Sequence, residues 1–177
     1  MANTTFYLRV WTRFFDSPER VWAVKTDPDL LRAEFPAWAR FSVRDAGTLQ
    51  AAFQKAEPAQ VDGRLSLLGT GPLGLRWPLN LEAVEPHTRY RDTSSNALYS
   101  RFEHEHLFEP TADGTRYIDA VTFTPSLPAA KAAAIFTQRL FVHRHRAAAK
   151  HLNADARTVG TAVLRVWVDD AAEDDAI

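Results

Sequence analysis

The chain has 177 residues, with 21 lysines and arginines against 22 aspartates and glutamates, 46% hydrophobic residues and no cysteine. This length and composition fit one globular domain and exclude fibrous and wholly disordered proteins. The lack of cysteine excludes disulfides, thiolate nucleophiles and cysteine-ligated zinc or iron–sulfur clusters. The 11 Phe, 5 Trp and 4 Tyr residues indicate a core of large rigid side chains or a wide apolar pocket.

Acidic residues are concentrated at the end of the chain. The last nine residues carry five acids and no base, which leaves 21 bases and 17 acids in the body. Such a mild excess is not the clustered basic face of a nucleic-acid-binding protein. We expect a soluble cytoplasmic protein, because neither a signal-peptide pattern nor an apolar run of membrane-spanning length is visible.

The first predicted elements are a strand and two short helices. Residues 6–15 are aromatic and β-branched, which predicts the strand. Ser17 and Pro18 then supply a capping hydroxyl and a proline at the first helical position, so a short helix follows. Asp27 and Pro28 repeat this pattern and begin the second helix.

Six short strands follow, each bounded by turn-forming residues. They are predicted at 39–45, 63–69, 75–85, 88–94, 99–109 and 115–124. Between the first two of them, residues 48–60 are compatible with either a helix or an extension of a strand.

The longest predicted helix comprises residues 129–152, which contain neither glycine nor proline. Its expected buried stripe consists of Phe136, Leu140, His143, Ala147 and His151, and Phe141, Ala148 and Leu152 widen it. After it, the β-rich run at 159–168 predicts one more strand.

This order of elements predicts an α+β fold in which a curved antiparallel sheet of about seven strands wraps around the long C-terminal helix. A gap between such a sheet and its helix is a natural ligand cavity. The predicted organisation is a ligand-binding domain at 1–156, an additional strand within 157–168 and an acidic, disordered tail at 169–177.

Three fragments, in this order, resemble the SRPBCC or START-like superfamily, also called helix-grip proteins, near its bacterial polyketide cyclase-like members. They are SPERVW at 17–22, FEHEHLF at 102–108 with the strand that follows, and FVHRH at 141–145, where His143 replaces a preferred tyrosine. The resemblance covers most of residues 6–153 and implies a helix-grip fold with an apolar small-molecule ligand. Members of the superfamily bind lipids, hormones, quinones or polyketides, and some are enzymes, so the resemblance does not fix the function.

The glycine-rich segment Gly69 to Gly74 matches the phosphate-binding pattern G-x-G-x-x-G. That pattern requires a helix to begin at the glycines, with its N–H groups facing the phosphate. A strand-like run follows here, so a glycine-rich hairpin or a loop at the mouth of a pocket is the preferred interpretation.

His104 and His106 lie two residues apart on one predicted strand and therefore share a face with Phe102. The apolar neighbour indicates that this face is the inner one. Together with His143 or His145 these histidines would suit zinc or iron. Because no compact third-ligand motif is visible, we predict buried, hydrogen-bonded histidines with no metal and no cofactor.

Asp119 alternates with Tyr117 and Val121 on the next strand, so a buried Asp119 needs a partner. Arg144 or one of the paired histidines is expected to supply it. A structural ion pair joining the sheet to the helix is preferred, and a polar anchor at the floor of the cavity is the alternative.

The leading hypothesis is a binding protein for an apolar or aromatic small molecule of lipid, quinone or polyketide-like type, which we favour over an enzyme while leaving that alternative open. The predicted ligand-binding residues are Trp77, Phe102, His104, His106, Asp119, Val121, Phe136, Leu140 and Arg144. One alternative is a cyclase, dehydratase or hydrolase that uses the histidines and Asp119 as acid and base. Another is an interaction protein that forms a homodimer through the strand at 159–168.

Overall fold

The computed structural model of this chain describes residues 4–67, 74–126 and 130–153, together with the backbone of 165–168. The acidic tail and all of the glycine-rich segment except Gly74 lie outside the described residues. Gly74 leads into a strand, so the helix that a dinucleotide site would require does not begin there.

Four helices and eight strands are present in the described residues. The helices are α1 Pro18–Lys25, α2 Pro28–Ala33, α3 Ala46–Lys55 and α4 Ala130–Ala148. The strands are β1 Thr4–Phe14, β2 Ala39–Val43, β3 Ala59–Leu67, β4 Leu75–Glu85, β5 Arg89–Ser94, β6 Tyr99–Thr111, β7 Gly114–Pro125 and β8 Arg165–Val168. The ambiguous residues 48–60 therefore divide between most of α3 and the start of β3.

The short helices begin where their capping residues predict. The Ser17 side chain accepts a hydrogen bond from the Arg20 N–H at 3.4 Å, and Pro18 occupies the first turn of α1. At α2 the Asp27 carboxylate accepts from the Asp29 N–H at 2.8 Å. Both helix starts are thus fixed by local interactions.

All neighbouring strands pair antiparallel in one sheet of order β2-β3-β4-β5-β6-β7-β1-β8. The predicted curved antiparallel sheet with a long C-terminal helix is confirmed. Helix α4 packs against β1 and β7, and α1 packs against β6 and β7. The inner face of β6 carries the buried residues Phe102, His104, His106 and Phe108, as its alternation predicts.

The predicted buried stripe of α4 is partly wrong. His143 and His151 are exposed, and the helix ends at Ala148. Its buried residues are Ala134, Thr137, Leu140, Phe141, Arg144, His145, Ala147 and Ala148. Arg144 and His145 face inward because their charged and hydrogen-bonding partners lie at the end of α2 and on the sheet. A stripe of apolar residues cannot indicate polar residues that are buried.

The strand predicted after the long helix is present as β8, which pairs with β1 of the same chain from Thr4↔Val168 to Tyr7↔Arg165. This pairing places β8 at one edge of the sheet, within the chain and not between copies. A homodimer formed through this strand stays a prediction.

The helices in the described residues are all too short or too polar to cross a membrane.

Candidate functional site

A cavity lies between the inner face of the sheet and the helices α2, α3 and α4. It opens to solvent on one side and has a cavity volume of about 80 Å³. The apolar side chains of the lining are Pro28, Leu31, Phe35, Phe41, Leu49, Phe53, Leu65, Trp77, Leu79, Leu81, Phe102, Phe136, Leu140 and Phe141. The large aromatic side chains of this chain therefore surround a space and do not fill it.

The polar residues of the lining come from the end of α1, from β5 and β6 of the sheet, and from α4. They are Lys25, Thr26, Tyr90, Asp92, Tyr99, His104, His106, Thr137 and Arg144. A few polar groups in an otherwise apolar wall are the usual means by which a pocket orients its ligand.

The structure brings seven of the nine predicted ligand-binding residues to the cavity wall. They are Trp77, Phe102, His104, His106, Phe136, Leu140 and Arg144. Asp119 and Val121 are fully buried behind that wall, Asp119 against the two histidines and Val121 in the core. Contact of these residues with a ligand stays a prediction.

The two histidines of β6 lie between two aspartates on the neighbouring strands. The register places Asp92 of β5 opposite His104, and Asp119 of β7 opposite His106. The imidazole rings are adjacent, with centroids 3.7 Å apart. All four side chains are buried, so each charge must be compensated inside the protein.

His104 has a carboxylate near each ring nitrogen. Its Nδ1 lies 3.4 Å from Asp92 Oδ2, and its Nε2 lies 3.1 Å from Asp119 Oδ1 without the angle of a hydrogen bond. Burial disfavours the charged ring, but the two carboxylates outweigh it and raise the pKa of His104 above its ordinary value. The site thus favours an imidazolium at this position.

His106 is also held at both ring nitrogens. Its Nε2 lies 3.1 Å from Asp92 Oδ2, and its Nδ1 lies 2.6 Å from the hydroxyl of Tyr117, which donates to Asp119. Burial, reinforced by the neighbouring His104, lowers the pKa of His106. Tyr90 stacks on the ring with centroids 3.8 Å apart.

His145 connects α4 to this group from the helix side. Its Nε2 donates to Asp119 Oδ2 at 3.2 Å, and its Nδ1 accepts from the Thr12 hydroxyl at 2.8 Å. One donated and one accepted hydrogen bond suit a neutral imidazole. Burial lowers the pKa of His145, in agreement with that assignment.

A second buried ion cluster joins the ends of α1 and α2 to α4. Lys25 Nζ donates to both oxygens of Glu34 at 2.7 Å, and Arg144 Nε lies 3.4 Å from Glu34 Oε2. The partners of Asp119 are therefore the histidines and Tyr117, while Arg144 pairs with Glu34.

The buried charges balance when one histidine is protonated. The cations are Lys25, Arg144 and His104, and the anions are Glu34, Asp92 and Asp119. Burial alone would raise the pKa of each aspartate, but His104 and His106 hold both well below their ordinary value. A neutral cluster of this kind avoids the large cost of an uncompensated buried charge.

The DUF8410 family, whose description is "domain of unknown function", matches residues 13–152. The chain belongs to this family. No curated protein matches this DUF8410 chain.

Several solved structures share the fold of the DUF8410 chain at low sequence identity. Protein CV1439 from Chromobacterium violaceum is 15% identical, with a TM-score of 0.59 over 80% of this chain and 94% of that one. An AHSA1-like protein from Aeromonas hydrophila is 15% identical, with a TM-score of 0.57 over 82% and 93%. Ara h 8.0201 is 10% identical, with a TM-score of 0.57 over 83% and 97%. These likenesses establish the helix-grip fold.

Asp92, His104 and His106 of the DUF8410 chain are also the group with the spacing of a metal site. One possible ligand atom from each residue lies within 4.8 Å of the other two. Two histidines and a carboxylate at such a separation could bind zinc or iron. In the structure the same atoms already contact one another or Asp119, so a hydrogen-bonded network accounts for their arrangement without an ion.

Sequence reasoning missed several members of the site, among them Asp92, Lys25 and Glu34. A signal for Asp92 was present, because alternation on the predicted strand at 88–94 puts it on the same face as Tyr90. Lys25 and Glu34 lie at helix ends that look solvent-exposed in the sequence, so no local signal indicates their pairing.

Proposed function

We propose that this DUF8410 chain binds an apolar small molecule, of lipid, quinone or polyketide-like type, in the cavity between the sheet and α4. The observation that carries the proposal is the cavity itself, an open space walled by aromatic and aliphatic side chains with a few convergent polar groups. We place this binding in the cytoplasm, as the cysteine-free sequence suggests.

Burial of apolar surface is the driving force of the proposed binding. Each square ångström of ligand surface removed from water contributes about 25 cal/mol before the cost of association is subtracted. Trp77 and Phe102 contact one another edge to face across part of the wall, with centroids 5.1 Å apart, and such rigid rings lose little entropy on binding. The wall is thus suited to a flat or extended apolar molecule.

The geometry favours binding over acid–base catalysis. A catalytic histidine needs a ring nitrogen directed at its substrate. Both nitrogens of His104 and both nitrogens of His106 face protein groups, namely Asp92, Asp119 and Tyr117. We therefore assign the histidines to the cavity wall and give them no catalytic step.

We expect the neutral apolar dye N-phenyl-1-naphthylamine to bind this chain saturably at one site, with a rise in its fluorescence. Leu140→Trp places extra volume in the cavity and is expected to weaken the dye's affinity by roughly tenfold or more. Fluorescence titration of the purified wild type and variant measures this difference.

Ile135→Trp on the same helix is the matched control, because Ile135 is 50% exposed and lies outside this cavity. Its dye affinity should equal that of the wild type. Failure of the wild type to bind, or an equal loss in both variants, would show that the cavity is not the binding site.

A further inference from the structure

We infer that the ligand of this cavity carries a carboxylate and that Arg144 is the residue that receives it. This inference rests on the proposed function and specifies the chemical class of the ligand. It starts from one side chain whose hydrogen-bonding capacity the protein leaves unused.

Arg144 is 6% exposed and lines the cavity, yet its Nε has no hydrogen-bond acceptor among the described residues. A guanidinium has five N–H donors in one plane, and buried donors of this kind are nearly always paired. A buried, unpartnered N–H in a cavity wall indicates an acceptor that arrives from outside the protein.

The carboxylate of Glu34, which lies near Arg144 Nε, is already occupied. Both oxygens of Glu34 accept hydrogen bonds from Lys25 at 2.7 Å, whereas Arg144 Nε stays 3.4 Å from Glu34 without hydrogen-bond geometry. Glu34 therefore compensates charge in this cluster but leaves the Nε donor of Arg144 without an acceptor.

Two aromatic rings fix the orientation of the guanidinium. Its central carbon lies 5.5 Å from the ring centroid of Phe35 and 5.1 Å from that of Phe141. These cation–π contacts restrain the guanidinium between the two rings. A fixed planar edge suits the two oxygens of a carboxylate, which accept parallel hydrogen bonds from arginine.

The charges that reach the cavity also favour an anion. Lys25 and Arg144 are cations of the lining, and Asp92 is its carboxylate. Glu34 and Asp119, which balance the cluster as a whole, lie outside the lining. Lys25 is neutralised by Glu34 and Asp92 by the adjacent histidines, so Arg144, whose Nε lacks a hydrogen-bond acceptor, is the charge that can attract an anion.

The test compares two probes of the same shape, 2-naphthoate and the neutral 2-naphthamide, by isothermal titration calorimetry at pH 7. The wild type is expected to bind naphthoate at least about tenfold more tightly than naphthamide. Arg144→Met, which keeps the length and apolar stem of the side chain, should remove this preference, so that naphthoate and naphthamide bind the variant with nearly equal affinity. Arg144→Lys keeps the charge without the planar fork and should retain only part of the preference.

The outcomes separate this inference from the proposed function. Equal affinities of the wild type for both probes would overturn the carboxylate inference while leaving apolar binding intact. Binding of neither probe, together with failure of the neutral dye to bind, would overturn the proposed function as well. The ratio of the wild-type affinities for naphthoate and naphthamide tests the carboxylate inference without any variant. The test therefore stands even if Arg144→Met does not fold.

Discussion

Replacement of Asp119 by asparagine is expected to lower the free energy of unfolding by about 3–5 kcal/mol at pH 7. Asp119 is completely buried and compensates the charge favoured on His104, while it accepts hydrogen bonds from Tyr117 and His145. Asparagine has nearly the same shape as aspartate, so the loss of stability is due to the missing charge and not to a new cavity. Chemical denaturation of wild type and variant measures it.

Asp62→Asn is the matched control for this variant, because Asp62 makes an exposed ion pair with Arg76 at 2.8 Å. The same chemical change there is expected to cost less than about 1 kcal/mol. Equal losses in the two variants would contradict the role given to the buried network.

The effect of Asp119→Asn should depend on pH in a definite direction. The pKa of Asp119 lies well below its ordinary value in the folded protein because of the adjacent histidines, although burial acts in the opposite sense. A carboxylate of this kind stabilises the fold above its unfolded pKa of about 3.9, and the contribution disappears as the pH falls through the folded pKa. The stability difference between wild type and variant is therefore expected to narrow below about pH 4.

The second large effect is expected at Glu34, for which glutamine should cost about 3–5 kcal/mol of folding free energy. Glu34 is 1% exposed, and its loss leaves Lys25 and Arg144 as buried cations without their carboxylate. The measurement is again chemical denaturation at pH 7.

Glu82→Gln is the corresponding exposed control, because Glu82 pairs with Arg91 at 2.8 Å on the outer surface of the sheet. We expect a change of less than about 1 kcal/mol there. A double variant, Lys25→Met with Glu34→Leu, should recover part of the stability lost in Glu34→Gln, since apolar replacement removes the desolvation cost of both ions. A double variant no more stable than Glu34→Gln would argue against this explanation.

The fold was predictable because its signals are local. Ser17 and Asp27 cap the helices that they were expected to start. The alternation along β6 correctly predicted that His104 and His106 face inward. Such features depend only on residues that are close together in the sequence, so a single sequence is enough to predict them.

The buried face of α4 was predicted less well, for a physical reason. An apolar stripe identifies the buried side of a helix only when the buried residues are apolar. Here Arg144 and His145 face inward because Glu34 and Asp119 compensate them, and these partners come from distant parts of the chain. His143, one residue away, is exposed instead.

The open cavity is a further property that the sequence implied only through its many aromatic residues. Whether such side chains fill a core or surround a space depends on how far the sheet curls from the helix. The charge cluster was invisible for the same reason, since Lys25 and Glu34 meet only when α1 and α2 fold against each other.

The buried network explains why Arg144 is singled out among the polar residues of the wall. His104, His106 and Asp92 contact one another and Asp119, so they form a rigid, internally compensated surface. Arg144 is held in place by Phe35 and Phe141 but keeps a donor without an acceptor. His104 Nε2 also lacks a hydrogen bond but faces Asp119 at 3.1 Å, so Arg144 Nε is the donor that we assign to the ligand.

The most direct test of this account is a crystal structure of the protein with 6-bromo-2-naphthoate, in which anomalous scattering locates the bromine. The account predicts a bromine peak between the sheet and α4, among the aromatic side chains of the cavity, with the carboxylate within hydrogen-bond distance of Arg144. A bromine peak on the outer surface, for example beside the exposed Trp38 and Ile135, with the cavity empty, would contradict it.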